Sequence, residues 1–114
     1  MVVPDRDGLL VQMRKGALQY CVLALLRGRE QYGFELVRAL AELPGLETSE
    51  GTIYPLLSRL RRDGLVETTW QESAEGPPRR YYRLTRTGKR ALQGFSEEWV
   101  TFRGTVDRLF EQGG

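Results

Sequence analysis

Histidine is absent from this chain, and cysteine occurs once, at Cys21. The first absence removes the commonest general base and the commonest metal-binding side chain. The second excludes an intrachain disulfide. Glu97 and Glu98 are the nearest thing to a paired carboxylate site, but neighbours on a helix point in different directions and read as a solvated face. No nucleophile stands in a pattern with a base, so neither an enzyme nor a cofactor or metal site is expected. Long apolar runs are lacking too. The longest, from Ala17 to Leu26 and broken by Gln19, falls far short of the roughly 20 residues that cross a bilayer. Pro4, Asp5 and Asp7 stand where a secretory signal would need a basic segment, so the expected compartment is the cytoplasm. Within that run Cys21 reads as a packed core thiol; a redox sensor would need an accessible thiolate.

What remains is an ordinary globular composition. The chain has 114 residues, 40% apolar and 28% charged, enough for one modest core with an appendage. A net charge of +2 conceals an uneven distribution. Residues 1–48 carry six positive and six negative charges, residues 49–90 nine and five, and residues 91–114 two and four. A local basic excess is the electrostatic footprint of a nucleic-acid surface, or else a solvated face.

Along the chain, residues 1–12 form an arm or a backward extension of the first helix, since Pro4 and Gly8 loosen what Leu9, Leu10 and Met13 would continue. From Met13 to Leu26 apolar residues nearly encircle a helix, which Gly28 would end. Leu36, Val37, Leu40 and Leu43 predict a second helix over residues 33–43, stopped by Pro44-Gly45. Ile53, Leu56, Leu57 and Leu60 make one stripe of a third helix closed by Gly64. Pro55 is tolerated only in a first turn, which places the start near Thr52 as cap. The opposite face is cationic and aromatic. Val66, Thr68 and Trp70 then alternate as a strand, and residues 80–85 form a second strand with Tyr82 and Leu84 on its apolar side. Residues 73–78 are the tip of that hairpin. Thr85 can cap a last helix over residues 86–112, with Leu92, Phe95, Trp99, Phe102, Val106 and Leu109 at steps of three, four, three, four and three. Such a helix is on the order of 40 Å long. A domain of this size cannot cover it, so part of the seam is expected to meet a second copy. The reading is thus a mainly α fold with a β-hairpin: a winged helix-turn-helix over residues 13–85 and a C-terminal dimerisation helix over 86–112.

Four ordered blocks carry a resemblance. They are Tyr32-Gly33-Phe34-Glu35-Leu36, then Ser49-Glu50-Gly51-Thr52-Ile53-Tyr54-Pro55-Leu56-Leu57-Ser58-Arg59-Leu60, then Gly64-Leu65-Val66, then residues 76–85 with Gly88 following. Together they resemble the PadR family of transcriptional regulators over residues 13–110. The resemblance implies a homodimeric repressor of double-stranded operator DNA, often released by a small molecule; the twofold of such a dimer would match an inverted repeat. A single C-terminal helix looks like the short branch of the family, some members of which bind flat aromatic compounds between subunits against a tryptophan. Trp99 stands at that place.

Each candidate has a plainer alternative. Thr52, Tyr54, Ser58, Arg59 and Arg62 of the third helix are the expected DNA contacts, although Tyr54 could instead pack against the wing and the arginines could simply be solvated. Arg79 and Arg80 of the hairpin are expected over flanking phosphates, or else merely keep it soluble. Glu50 would be repelled by phosphate and is not expected at DNA. Leu92, Phe95, Trp99, Phe102, Val106 and Leu109 form the expected dimer interface, within which Phe95, Trp99 and Phe102 would line the site for a planar aromatic effector. The rival reading is a winged-helix module that binds a protein partner and no DNA; the basic excess opposes it.

Overall fold

The computed structural model describes residues 6–112. Five helices and three short strands follow one another as α1 (Arg6–Arg14), α2 (Leu18–Leu25), β1 (Gln31–Tyr32), α3 (Gly33–Ala41), α4 (Glu50–Arg62), β2 (Val66–Gln71), β3 (Arg79–Leu84) and α5 (Arg86–Gln112). The expected mainly α fold with a hairpin wing and a long final helix is present.

The first helix is two helices. The chain leaves helical geometry at Lys15–Ala17, where Gly16 takes φ +82, a left-handed turn that a side chain would disfavour. The apolar residues of α1, among them Leu10 and Met13, run on into the buried Val22 and Leu23 of α2, which hides the boundary from periodicity. Of the arm expected over residues 1–12, residues 1–5 lie outside the described residues, and 6–12 belong to α1. At the other end α2 stops at Leu25, before Gly28, whose φ is not left-handed. The buried Gln31 side chain donates to the Leu25 carbonyl at 2.6 Å, satisfying one of the orphan acceptors at the end of α2.

Thr52 is not the cap of α4. Ser49 takes that place with extended backbone (φ −98, ψ 162), and the helix begins at Glu50, so Pro55 lies in its second turn. The helix accepts the proline at the cost of one donor to the Gly51 carbonyl. Its far end is a Schellman stop: Gly64 at φ +77 donates to Arg61 O at 3.0 Å, and Leu65 N–H reaches Leu60 O at 2.9 Å.

Strand β3 is central in an antiparallel sheet of order β1-β3-β2, with Gln31 opposite Tyr82 and Trp70 opposite Arg80. Sequence pattern cannot reveal β1, since two residues show no alternation. One core joins Val22, Leu23 and Leu26 of α2, Leu36 and Leu40 of α3, the Ile53-Leu56-Leu57-Leu60 stripe of α4, and Val66, Tyr82 and Leu84 of the sheet. Thr85 pins α5 to this core. Its hydroxyl donates to Gly64 O at 2.6 Å and accepts from Gly88 N–H at 3.0 Å, which makes it the expected cap. Gly88 is required here because a Cβ would overlap the Leu65 carbonyl.

Candidate nucleic-acid interface

With its core stripe buried, α4 offers three longitudinal strips to the outside. Gly51, Pro55, Ser58 and Arg62 run down the middle. To one side stand Glu50, Tyr54 and Arg61, and to the other Thr52 and Arg59. The middle strip and all three arginines are exposed, and none of those arginines is in an ion pair among the described residues.

Tyr54 packs over the start of α3. A Cβ on Gly33 would overlap its ring, so the glycine of the Tyr32-Gly33-Phe34 block exists to let this tyrosine lie down. Its packing partner is thus the α3 terminus, while 41% of the residue stays exposed. Burial of the ring, helped by the Glu50 carboxylate, pushes the hydroxyl above its ordinary range and keeps it a hydrogen-bond donor. The α3 terminus is itself held in place: Tyr32 N–H donates to Glu35 Oε1 at 3.1 Å, and Arg29 reaches the other carboxylate oxygen at 3.5 Å.

On the wing, strand alternation separates the two arginines. Arg80 shares the face of Tyr82 and Leu84, on which α4 lies, and its guanidinium sits 4.9 Å from the Trp70 ring centroid. Its Nε is buried with no hydrogen-bond partner among the described residues. Arg79 is on the other face, 4.6 Å from the centre of the Tyr32 ring. Trp70, 64% exposed, was not among the expected site residues. The signal existed in the alternation of Val66, Thr68 and Trp70, but the pairing of Trp70 with Arg80 needs the register of a hairpin whose loop is long.

The seam of α5 divides. Leu92, expected at a dimer interface, is only 8% exposed and belongs to the core of its own chain. Phe95 stacks on Tyr20 of α2 at 4.2 Å between centroids, then Trp99 follows Phe95 at 5.8 Å and Phe102 follows Trp99 at 6.2 Å. Tyr20 is the member of this ladder that sequence reasoning missed, because its helix is legible but the crossing of α2 with α5 is not. Phe102 and Leu109 are each 63% exposed, and Val106 is half-buried. Beside the ladder a groove of about 410 Å³ runs between α2 and α5, lined by Cys21, Arg27, Lys89, Phe95 and Trp99 among others. Burial pushes the Cys21 thiol up from its ordinary range, which opposes a thiolate sensor.

A trihelical core with a cationic outward helix and a β-hairpin wing defines a winged helix-turn-helix DNA-binding protein. More narrowly, the chain belongs to the PadR-like family of transcriptional regulators, whose family model matches residues 22–94. It is 35% identical over 81 residues to the transcriptional regulator Rv3488 of Mycobacterium tuberculosis, covering 71% of this chain and 74% of that protein. A PadR family transcriptional regulator from Eggerthella lenta is 34% identical and superposes with a TM-score of 0.82 over 92% of this chain and 91% of its own. A PadR-like regulator from Bacillus cereus is 39% identical, with a TM-score of 0.79 over 87% and 96%. These relatives are regulators, not enzymes, and nothing in them supports the rival reading as a protein-binding module. Among the described residues no helix is long and apolar enough to cross a membrane.

Proposed function

We propose that the protein is a homodimeric repressor that binds an inverted-repeat operator and is released by a planar aromatic effector. The observation that carries this reading is the aromatic face of α5, which leaves the domain at Phe95 and continues exposed through Trp99, Phe102 and Leu109. An apolar stripe of this length on a charged helix marks an interface. A twofold pair of such helices would set two α4 helices about one turn of duplex apart, or a multiple of it. Thr52, Tyr54, Ser58, Arg59 and Arg62 of α4 would then meet the major groove and its rims. Arg80, steadied by Trp70, and Arg79 would meet the flanking backbone.

The groove at Trp99 suits the effector. A flat ring entering between paired tryptophans gains stacking and apolar burial. Release requires that it favour a dimer whose α4 helices are wrongly spaced for DNA, since affinity without such preference shifts nothing. The test combines sedimentation with footprinting on the DNA upstream of the protein's own gene. Expected are a dimer at micromolar concentration and two protected half-sites. Planar aromatic ligands that quench Trp99 in a Trp70→Phe background should lower operator affinity. A wild-type monomer overturns the dimer; quenching that leaves operator affinity unchanged makes the stripe dimer packing alone.

A further inference from the structure

The Thr52 side of α4 faces an open cleft of about 530 Å³ whose opposite wall is the turn between α1 and α2. Arg14 and Lys15 stand on that wall, and Thr52, Arg59 and Arg62 stand on the wall of α4. Among the described residues no Asp or Glu lines the cleft, and none of the four cations is in an ion pair. Arg14 is held in place by neutral groups, its Nη1 donating to Gly45 O at 3.2 Å and Glu47 O at 2.8 Å. After α1 the chain turns through Gly16, at φ +82, and the exposed Lys15 beside it stands at the rim of the cleft.

Two segments far apart in sequence therefore converge four positive charges on one concavity. Like charges gathered this way raise each other's energy unless a counter-charge sits among them. The apolar parts of the lining, from Val11, Leu18, Pro55 and Leu56, sharpen the field by excluding water from one side. An oxyanion is the ligand this chemistry selects. We propose that the cleft seats a backbone phosphate of the DNA, making the α1–α2 turn a third contact beside α4 and the wing. The proposal rests on the reading that α4 lies against duplex. A polymer phosphate is favoured over a free ion because one wall is α4 itself and Arg62 also belongs to its outward strip. The open shape admits a phosphate that remains attached to a chain.

Lys15→Ala is the informative variant, because the exposed Lys15 side chain makes no ion pair among the described residues and its loss should leave the thermal midpoint unchanged. Binding to a mixed-sequence duplex is measured against salt concentration for wild type, Lys15→Ala and Arg59→Ala. Each variant is expected to flatten the slope of log K against log salt by about 0.9, the value for one phosphate contact. A parallel arm titrates inorganic phosphate and pyrophosphate onto the free protein at constant ionic strength. A steep wild-type slope that neither variant changes overturns the cleft contact alone. Pyrophosphate binding that needs Lys15, together with an unchanged duplex slope, overturns it in favour of a small-anion site. A wild type that binds no duplex overturns the reading of α4, and the cleft contact with it.

Discussion

Helices α4 and α5 carry the same kind of stripe and meet different fates. Ile53, Leu57 and Leu60 of α4 are wholly buried within the chain, whereas beyond Leu92 the stripe of α5 emerges from the domain and exposes Phe102 and Leu109. The apolar periods are both regular. What differs is length: α4 has 13 residues and lies across a core wide enough to cover it, while α5 has 27 and outruns the same core. Periodicity reports that a face needs covering; it does not report what covers it.

The strongest way to break this contrast is to cut into the stripe that is covered from within. Leu57→Ala should destabilise the fold by about 2–5 kcal/mol, the cost of lost burial plus a cavity. Denaturant unfolding would show it as a lowered midpoint at any protein concentration. A loss below about 1 kcal/mol would mean that α4 is less firmly part of the core than its burial states.

Phe102→Glu addresses the stripe left open, and its effect should be different in kind. The domain should keep its intrinsic stability to within about 0.5 kcal/mol, as for exposed sites away from special features. The proposed dimer should give way to a monomer in sedimentation, and any dependence of the unfolding midpoint on protein concentration should disappear. A variant that remains dimeric would move the interface off this face.

The smallest effect sharpens the comparison further. Gly94 lies on α5 where a Cβ would meet nothing in its own chain. In the Phe102→Glu background, Gly94→Ala should therefore stabilise by about 0.5–1 kcal/mol, the ordinary helical preference for alanine. In the proposed wild-type dimer the gain should shrink if another backbone passes close to that glycine. Paired thermal melts in the two backgrounds measure the difference.

Much of the architecture is legible in the sequence. The α4 stripe, the Gly64 stop, the alternation of Tyr82 and Leu84, the Thr85 cap and the extent of α5 are all local signals. Each depends on residues within a turn or two of one another. The misreadings are of two sorts. Ser49, not Thr52, is the cap because the helix takes Pro55 in its second turn at the loss of one hydrogen bond, and the break at Gly16 is concealed by an apolar pattern shared across two helices. Both are local errors made where one rule competes with another.

The other gaps could not have been closed by pattern. Gly33 under the Tyr54 ring, Gly88 against the Leu65 carbonyl, Tyr20 stacked on Phe95, and Lys15 converging with Arg59 join segments distant in sequence. By itself the sequence determined the helices from α3 onward, the wing, the cationic side of α4 and the period of α5, because hydrogen bonding and side-chain period act over a few residues. Only the tertiary structure decided which arginines share a face, where the α5 seam leaves the domain and what stands across from α4. Those outcomes depend on crossing angles and strand register, which are set by the packing of one core and written in no single segment.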